Sequence, residues 1–243
     1  MYRVQKILSM LGVLSRRECE KLLLQKKIKI NNSIAAIGAK VKIGDEILVN
    51  GKIYIVGPEI FKSEIKVIAY HKSAGELVTT KDDRNRKTVF ANLPDINGKW
   101  INIGRLDMNT SGLLLFTNNG DIANALMHPS SKIKRVYEVL IKGNMTNEKI
   151  VLSKKGIDIG KGEIGRFLNI VHISNELTNT YKVTLATGKN REIRRVFYSL
   201  DCKVVKLKRI KYALAELSNL KVNKYRNLTK DEISNIIKYL KKY

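Results

Sequence analysis

Apolar residues recur along this chain at two spacings, and each spacing predicts a kind of element. Val4, Ile7, Leu8 and Leu11 fall at helical intervals, so residues 3–11 read as an amphipathic helix. Gly12 punctuates it. Ser15 then stands where an N-cap belongs, with Glu18 three residues later, the pair that makes a capping box. Residues 16–26 read as a second helix with Cys19, Leu22 and Leu23 turned inward. "KIKIN" and "EILVNG" alternate apolar and polar as half-buried strands do. "NGKIYIVGPE" closes this unit. The Gly57-Pro58 pair and the charged "EIFKSE" set a boundary near 57–64, so domains of 1–60 and 65–243 are expected.

The second part is strand-rich. "IKVIAYHK", "KWINIG", "GLLLFTN", "RVYEVLIKG", "FLNIVHIS" and "TYKVTLAT" read as strands. "NGDIANALMHP", "NREIRRVFYSLD" and "KDEISNIIKYLKK" read as helices, the last capped by Thr229. Strands and a few helices joined by short connections predict an α+β fold, a small N-terminal α/β unit followed by a domain with a mixed or antiparallel sheet.

Charge adds a partner to this picture. The chain has 46 Lys and Arg against 22 Asp and Glu, a net charge of +24 over 243 residues. A field this positive fits a polyanion, with nucleic acid the first expectation. The excess is spread over both parts rather than held in a tail. Arg3, Lys6, Arg16, Arg17, Lys26, Lys27 and Lys29 cluster around the first two helices and the turn that follows, where short helices can straddle a phosphate backbone. Cys19 and Cys202 lie far apart, and His71, His128 and His172 are scattered, so no metal site is signalled. "MYRVQKILSMLG" lacks a long apolar core, and a soluble, reducing, cytoplasmic setting without membrane contact is expected.

The second part lacks a GxGxxG, a GxxxxGK[ST] and a Gly-x-Ser-x-Gly elbow, so its chemistry falls to carboxylate, tyrosine and arginine. Three stretches hold these. In "GRLDMNTSG", Asp107 sits between Leu106 and Leu113–Leu115, which predicts a loop against the core and a poorly solvated carboxylate in need of a cation. Arg105 is near in sequence, and a more remote arginine is an equal candidate; Asp107 also suits a plain turn cap over Asn109, Thr110 and Ser111. In "GKNREIRR", Lys189, Arg191, Arg194 and Arg195 crowd a helix N-terminus against its dipole, a local cost that implies an anionic partner. In "KIKRVYEV", Tyr137 lies in a strand and offers a ring for base stacking.

"RVQKILSMLGVLSRRECEKLLLQKKIKINN" with "IGAKVKIGDEILVNG" resembles the S4 RNA-binding domain over residues 1–52. "GRLDMNTSGLLLFTNNGD", "MHPSSKIKRVYEV" and "TGKNREIRRVF" resemble the motifs of the RsuA/RluB family of ribosomal RNA pseudouridine synthases, which carry an S4 domain in front. The resemblance implies isomerisation of uridine to pseudouridine, without cofactor or metal, by a monomer acting on structured ribosomal RNA. "LPDINGKWINIGRLD" favours 23S RNA or a large-subunit precursor over 16S RNA. It implies that Asp107 is the essential aspartate, that Tyr137 stacks on the target uracil and that Arg194 pairs with Asp107. It further implies that Ile193 lines the base pocket and that Arg105 meets RNA backbone or flipped base. One carboxylate can attack C1′ or C6, or act as a base at C2′, and the three routes stand level here.

Overall fold

The computed structural model describes residues 1–61, 64–96, 98–173 and 179–240. They form two compact units. The first is Met1–Lys66 with Pro94–Ile101 and Asn118–Gly120; the second is Val67–Leu93, Asn102–Thr117 and Asp121 onward.

In the first unit, helices α1 (Val4–Met10) and α2 (Arg16–Leu24) cover a small antiparallel sheet. The capping box forms: the Glu18 amide donates to Ser15 Oγ at 3.2 Å, and the Ser15 amide donates to the Glu18 carboxylate at 2.8 Å. α2 stops two residues before the expected end because Lys26 adopts φ +56°, which a helix cannot continue. Strands β1 (Ile28–Ile30), β2 (Glu46–Val49) and β3 (Lys52–Ile55) pair in that order, with Ser33–Ile34 on the outer edge of β1. Val4, Ile7, Leu8, Cys19, Leu23, Ile28, Ile47 and Val49 form the core.

The second unit is built on one mixed sheet. Seven of its nine strands lie on one path: β4 (Val67–Lys72), β5 (Ser111–Thr117), β6 (Arg135–Lys142), β7 (Asn169–His172), β8 (Thr180–Leu185), β9 (Lys203–Tyr212) and β10 (Tyr225–Asn227); Ile101–Ile103 pairs with β5 and Ala215–Glu216 with β9 off that path. Their order across the sheet is β7-β8-β6-β9-β5-β4-β10, antiparallel except where β9 runs parallel to β5. Helices α3 (Gly120–Met127), α4 (Asn147–Lys155), α5 (Glu192–Tyr198) and α6 (Lys230–Leu240) complete it. The α+β architecture is the expected one.

Three of these elements go beyond the sequence expectation, among them β10 at one edge of the sheet. β9 lies near the centre of the sheet, and α4 is capped by Thr146, whose hydroxyl accepts from the Lys149 amide at 3.3 Å. "FLNIVHIS" is a strand only from Asn169 to His172, and its Ser174 lies outside the described residues. The end of "KDEISNIIKYLKK" also lies outside them.

Pairing register decides which side chains share a face. Lys72 pairs with Gly112, Gly112 with Arg209, Arg209 with Tyr137 and Tyr137 with Val183, so one row crosses five strands. Gly112 is the low point of that row. Its φ is +106°, and an added Cβ would lie 2.2 Å from the Arg209 carbonyl oxygen and 2.6 Å from its nitrogen. Only glycine allows β5 and β9 to close there.

Candidate functional site

The Asp107 segment is a tight turn at the entry to β5. The Thr110 amide donates to the Asp107 carbonyl at 3.0 Å, closing a four-residue turn with Met108 and Asn109 at its tip. Gly104 supplies φ +73° ahead of it. Leu106 and Leu113–Leu115 are buried as expected, yet Asp107 is exposed. The expectation of a poorly solvated carboxylate is therefore corrected. The turn rests on the core through Leu106, and the next residue points away from it.

What holds the turn is a set of cations on its backbone. Lys72 Nζ donates to the Met108 carbonyl at 3.1 Å, to the Thr110 carbonyl at 2.8 Å and to the Ser73 carbonyl at 2.8 Å. Arg194 Nη2 donates to the intervening Asn109 carbonyl at 3.0 Å, and its Nη1 to the Val204 carbonyl at 3.3 Å. The three carbonyls after Asp107 are thus each gripped by a buried or half-buried cation. The Gly75 amide adds a further bond to Met108 at 2.8 Å.

Arg194 reaches the aspartate loop, but not in the manner of a contact ion pair. Among the described residues, no salt bridge within 4.0 Å includes Asp107. The two groups still feel one another. Burial lowers the pKa of the Arg194 guanidinium, the charge of Arg191 lowers it further, and the charge of Asp107 opposes both. Lys72 shows the same pattern more strongly. Burial pushes its ammonium down to about 8, against the opposing charges of Glu76 and Asp107.

Glu76 is buried and fully engaged. Its carboxylate accepts from Tyr70 Oη at 2.8 Å, Asn92 Nδ2 at 2.9 Å, and the Ser73 amide and hydroxyl, both at 2.9 Å. The Tyr70 phenol is pushed well above its ordinary range, first by burial and then by Glu76.

Tyr137 lies on β6 in the same sheet row as Lys72 and Arg209, with its ring largely covered. Ile193 is buried on α5. Arg209 is buried as well; its Nε donates to the Leu113 carbonyl at 2.7 Å. Arg209 and Arg135 place their guanidinium carbons 4.9 and 5.1 Å from the centroid of the buried Tyr212 ring, a cation–π arrangement.

The crowd of cations at the start of α5 separates into different duties. Arg191 is exposed and adopts φ +49° as the residue before the helix. Lys189 Nζ caps the Ile164 carbonyl at 2.5 Å. Arg195, expected at an RNA surface, is instead a fastener. It binds the Glu163 carboxylate at 2.5 Å and the carbonyls of Ile159, Gly160 and Asn190 at 2.7, 2.6 and 3.2 Å. That expectation is corrected: the donors of Arg195 are already engaged within the fold. The dipole conflict is thus resolved by carbonyls and one carboxylate as well as by open exposure. Arg105 is exposed beside Asp107. In the first unit, Arg3, Arg16, Arg17, Lys26, Lys27 and Lys29 are exposed, while Lys6 is half-buried.

Sequence patterns gave no separate role to Lys72, Glu76 or Arg209. The available signal was a lysine ending the continuous apolar run "VIAYH", where a strand buried throughout leaves no solvent for a charge. Among the described residues, no group of three His, Cys, Asp or Glu is arranged to hold a metal, and no helix is long and apolar enough to cross a membrane.

Comparison with known families places this geometry. The model of the RNA pseudouridylate synthase family matches residues 66–199. The chain belongs to that family. The S4 domain model matches residues 3–47. The chain is 39% identical over 213 residues to the ribosomal large subunit pseudouridine synthase B of Vibrio vulnificus, covering 86% of this chain and 66% of that one. It is 38% identical over 240 residues to the protein of the same name from Buchnera aphidicola subsp. Acyrthosiphon pisum, covering 96% and 95%. The chain thus spans just under two thirds of the Vibrio relative and nearly all of the Buchnera one. A solved structure described as a pseudouridylate synthase shares the fold at a TM-score of 0.67 and 23% identity, over 97% of this chain and 100% of the other. The gripped Asp107 turn and Tyr137 both lie inside the segment matched by the synthase family.

Proposed function

We propose that this chain converts specific uridines of large-subunit ribosomal RNA to pseudouridine in the cytoplasm, with Asp107 as the reactive carboxylate. Family membership supports the reaction, and the names of the Vibrio and Buchnera relatives support the RNA. The observation that carries the reading is the Asp107 turn. Its carboxylate is open to an incoming base, while its backbone is fixed by Lys72 and Arg194. A fixed, open carboxylate is what a reaction at one sugar or base carbon requires.

The isomerisation breaks the N1–C1′ bond and forms C5–C1′. The proton on C5 is lost and N1 gains one, so nothing is added or removed overall. The base must leave its stack to present C1′, and Tyr137 is the ring proposed to receive it. Because that ring is largely covered here, reception requires one of its faces to be uncovered. The exposed cations of the first unit would hold phosphates of the folded RNA.

Tritium release from 23S RNA labelled at uridine C5 tests the reading. Wild-type protein releases tritium, and Asp107→Asn does not while still binding the RNA. Release by the Asn variant at the wild-type rate would overturn the assignment of Asp107.

A further inference from the structure

We infer that Arg135 is a positioning residue, fixing the start of α5, with Ile193 and Arg194, against the strand that carries Tyr137. The inference rests on the proposed function only in taking Asp107, Tyr137 and Arg194 as parts of the reacting site.

Arg135 stands where three strands have their ends. It opens β6, and it pairs with Leu185, the last residue of β8, and with Tyr212, the last residue of β9. Beyond Leu185 the chain leaves the ladder, and its carbonyls need other donors. Arg135 supplies them from its side chain. Its Nη1 donates to the Thr187 carbonyl at 3.0 Å and the Ala186 carbonyl at 3.2 Å, with the Ile133 carbonyl further off at 3.4 Å. The guanidinium also lies against Gly188, where an added Cβ would sit 3.7 Å from Nη1 and 3.8 Å from the guanidinium carbon.

The other arm of the group is held as well. Nη2 donates to Tyr212 Oη at 3.4 Å, and the guanidinium carbon lies 5.1 Å from the centre of that ring. Tyr212 is fully buried, and its hydroxyl donates in turn to the Leu126 carbonyl at 2.9 Å, near the end of α3. A rigid planar fork can serve carbonyls and a ring at once; an ammonium on a flexible stem cannot.

From Thr187 the bonds continue toward the site. The Thr187 hydroxyl donates to the Glu192 carboxylate at 2.7 Å, and the Lys189 amide donates to its other oxygen at 3.1 Å. Glu192 is buried and opens α5. Ile193 and Arg194 are the next two residues, and Arg194 reaches the Asn109 carbonyl of the Asp107 turn at 3.0 Å. Arg135 and Tyr137 are two residues apart on β6, so their side chains share one face of the strand. One guanidinium therefore links the strand of the proposed stacking ring to the helix whose arginine grips the Asp107 turn. Its bonds go to carbonyls and a phenol of the fold, which separates it from the exposed cations offered to RNA.

The test is Arg135→Ala, assayed by tritium release with kcat and KM resolved. A loosened α5 start misplaces Arg194 relative to Tyr137 while leaving the exposed RNA contacts in place. We expect kcat to fall roughly 10- to 100-fold with KM within about 3-fold of wild type. Circular dichroism is run on the same samples. A wild-type kcat overturns the inference. So does a raised KM with kcat kept, which would make Arg135 an RNA contact, and so does a kcat loss equal to the fraction of unfolded protein.

A second measurement needs no activity. Hydrogen exchange is followed in wild type and in Arg135→Lys, which keeps the charge and loses the fork. Amides of residues 187–194 exchange roughly 10-fold faster in the variant, and those of β4 keep their wild-type rates. Equal acceleration across the whole unit, or none at 187–194, overturns the inference. If the wild-type chain releases no tritium from any RNA, the proposed reaction fails, and the exchange pattern still decides whether Arg135 holds the start of α5.

Discussion

Replacing Gly112 by alanine tests the sheet row that carries the site. Two costs add. The residue has φ +106°, a conformation that an L side chain rarely adopts, worth about 1–3 kcal/mol. The new methyl would also lie 2.2 Å from the Arg209 carbonyl oxygen, 2.6 Å from its nitrogen and 2.9 Å from its carbonyl carbon. These are backbone atoms of a central strand and cannot swing aside, so β9 must shift, at about 1–3 kcal/mol. The expected loss is about 4 kcal/mol, which lowers the melting temperature of a unit this size by roughly 8–16 °C. Gly75→Ala is the control. It has φ +95° but nothing within 4 Å of an added Cβ, so it carries the conformational cost alone. The single tryptophan, Trp100, belongs to the first unit and is blind to this change. Far-UV circular dichroism melts, with hydrogen exchange on peptides from β5 and β9, report the right unit. If Gly112→Ala melts no lower than Gly75→Ala, the close approach of β5 and β9 has no energetic weight and the argument from register falls.

Two pH and reactivity outcomes follow from the shifted groups. The Lys72 ammonium is pushed down to about 8 by burial, so in the folded chain it loses its proton near that pH rather than near 10.5. Its folded pKa lies below the ordinary 10.5, so the unfolded chain holds the proton more tightly between the two values. The penalty for the buried charge is then full below about 8 and is relieved as pH rises toward 10.5. Urea unfolding of the second unit in buffers from pH 7 to 10 reads its sign. Cys19 is pushed up to about 11, chiefly by burial and then by the charge of Glu20, so a thiol reagent at pH 8 labels it only as fast as the first unit opens. Labelling at the rate of a free thiol would show that the core around α2 is not closed.

Much of the local structure was legible because local rules governed it. α1, α2 and the Ser15–Glu18 box follow from spacing and capping within a few residues. "VIAYHK" and "GLLLFTN" announced buried strands by continuous apolar runs. β9 escaped because "KVVKLKRIKY" breaks strict alternation; its pairing with β6 slips between Val136 and Tyr137 and again between Leu140 and Ile141. α4 escaped because its apolar residues form no stripe: Val151 and Leu152 are adjacent and both exposed.

The sequence by itself determined the reactive candidates: an aspartate in a glycine-bounded turn, a tyrosine in a strand, arginines at a helix start, and a charge suited to RNA. Those are properties of residue type and near neighbours. Only the tertiary structure decided which cation does what. Arg194 and Arg195 are adjacent in sequence, yet one grips the Asn109 carbonyl and the other the 159–163 loop, because successive helical residues point about 100° apart. Lys72 comes to the Asp107 turn from 35 positions earlier in the chain, and Arg209 comes to Gly112 and Leu113 on β5 from beyond α5. Strand register brings them there, and register depends on which strands pair across the whole sheet, a choice no short window of sequence contains.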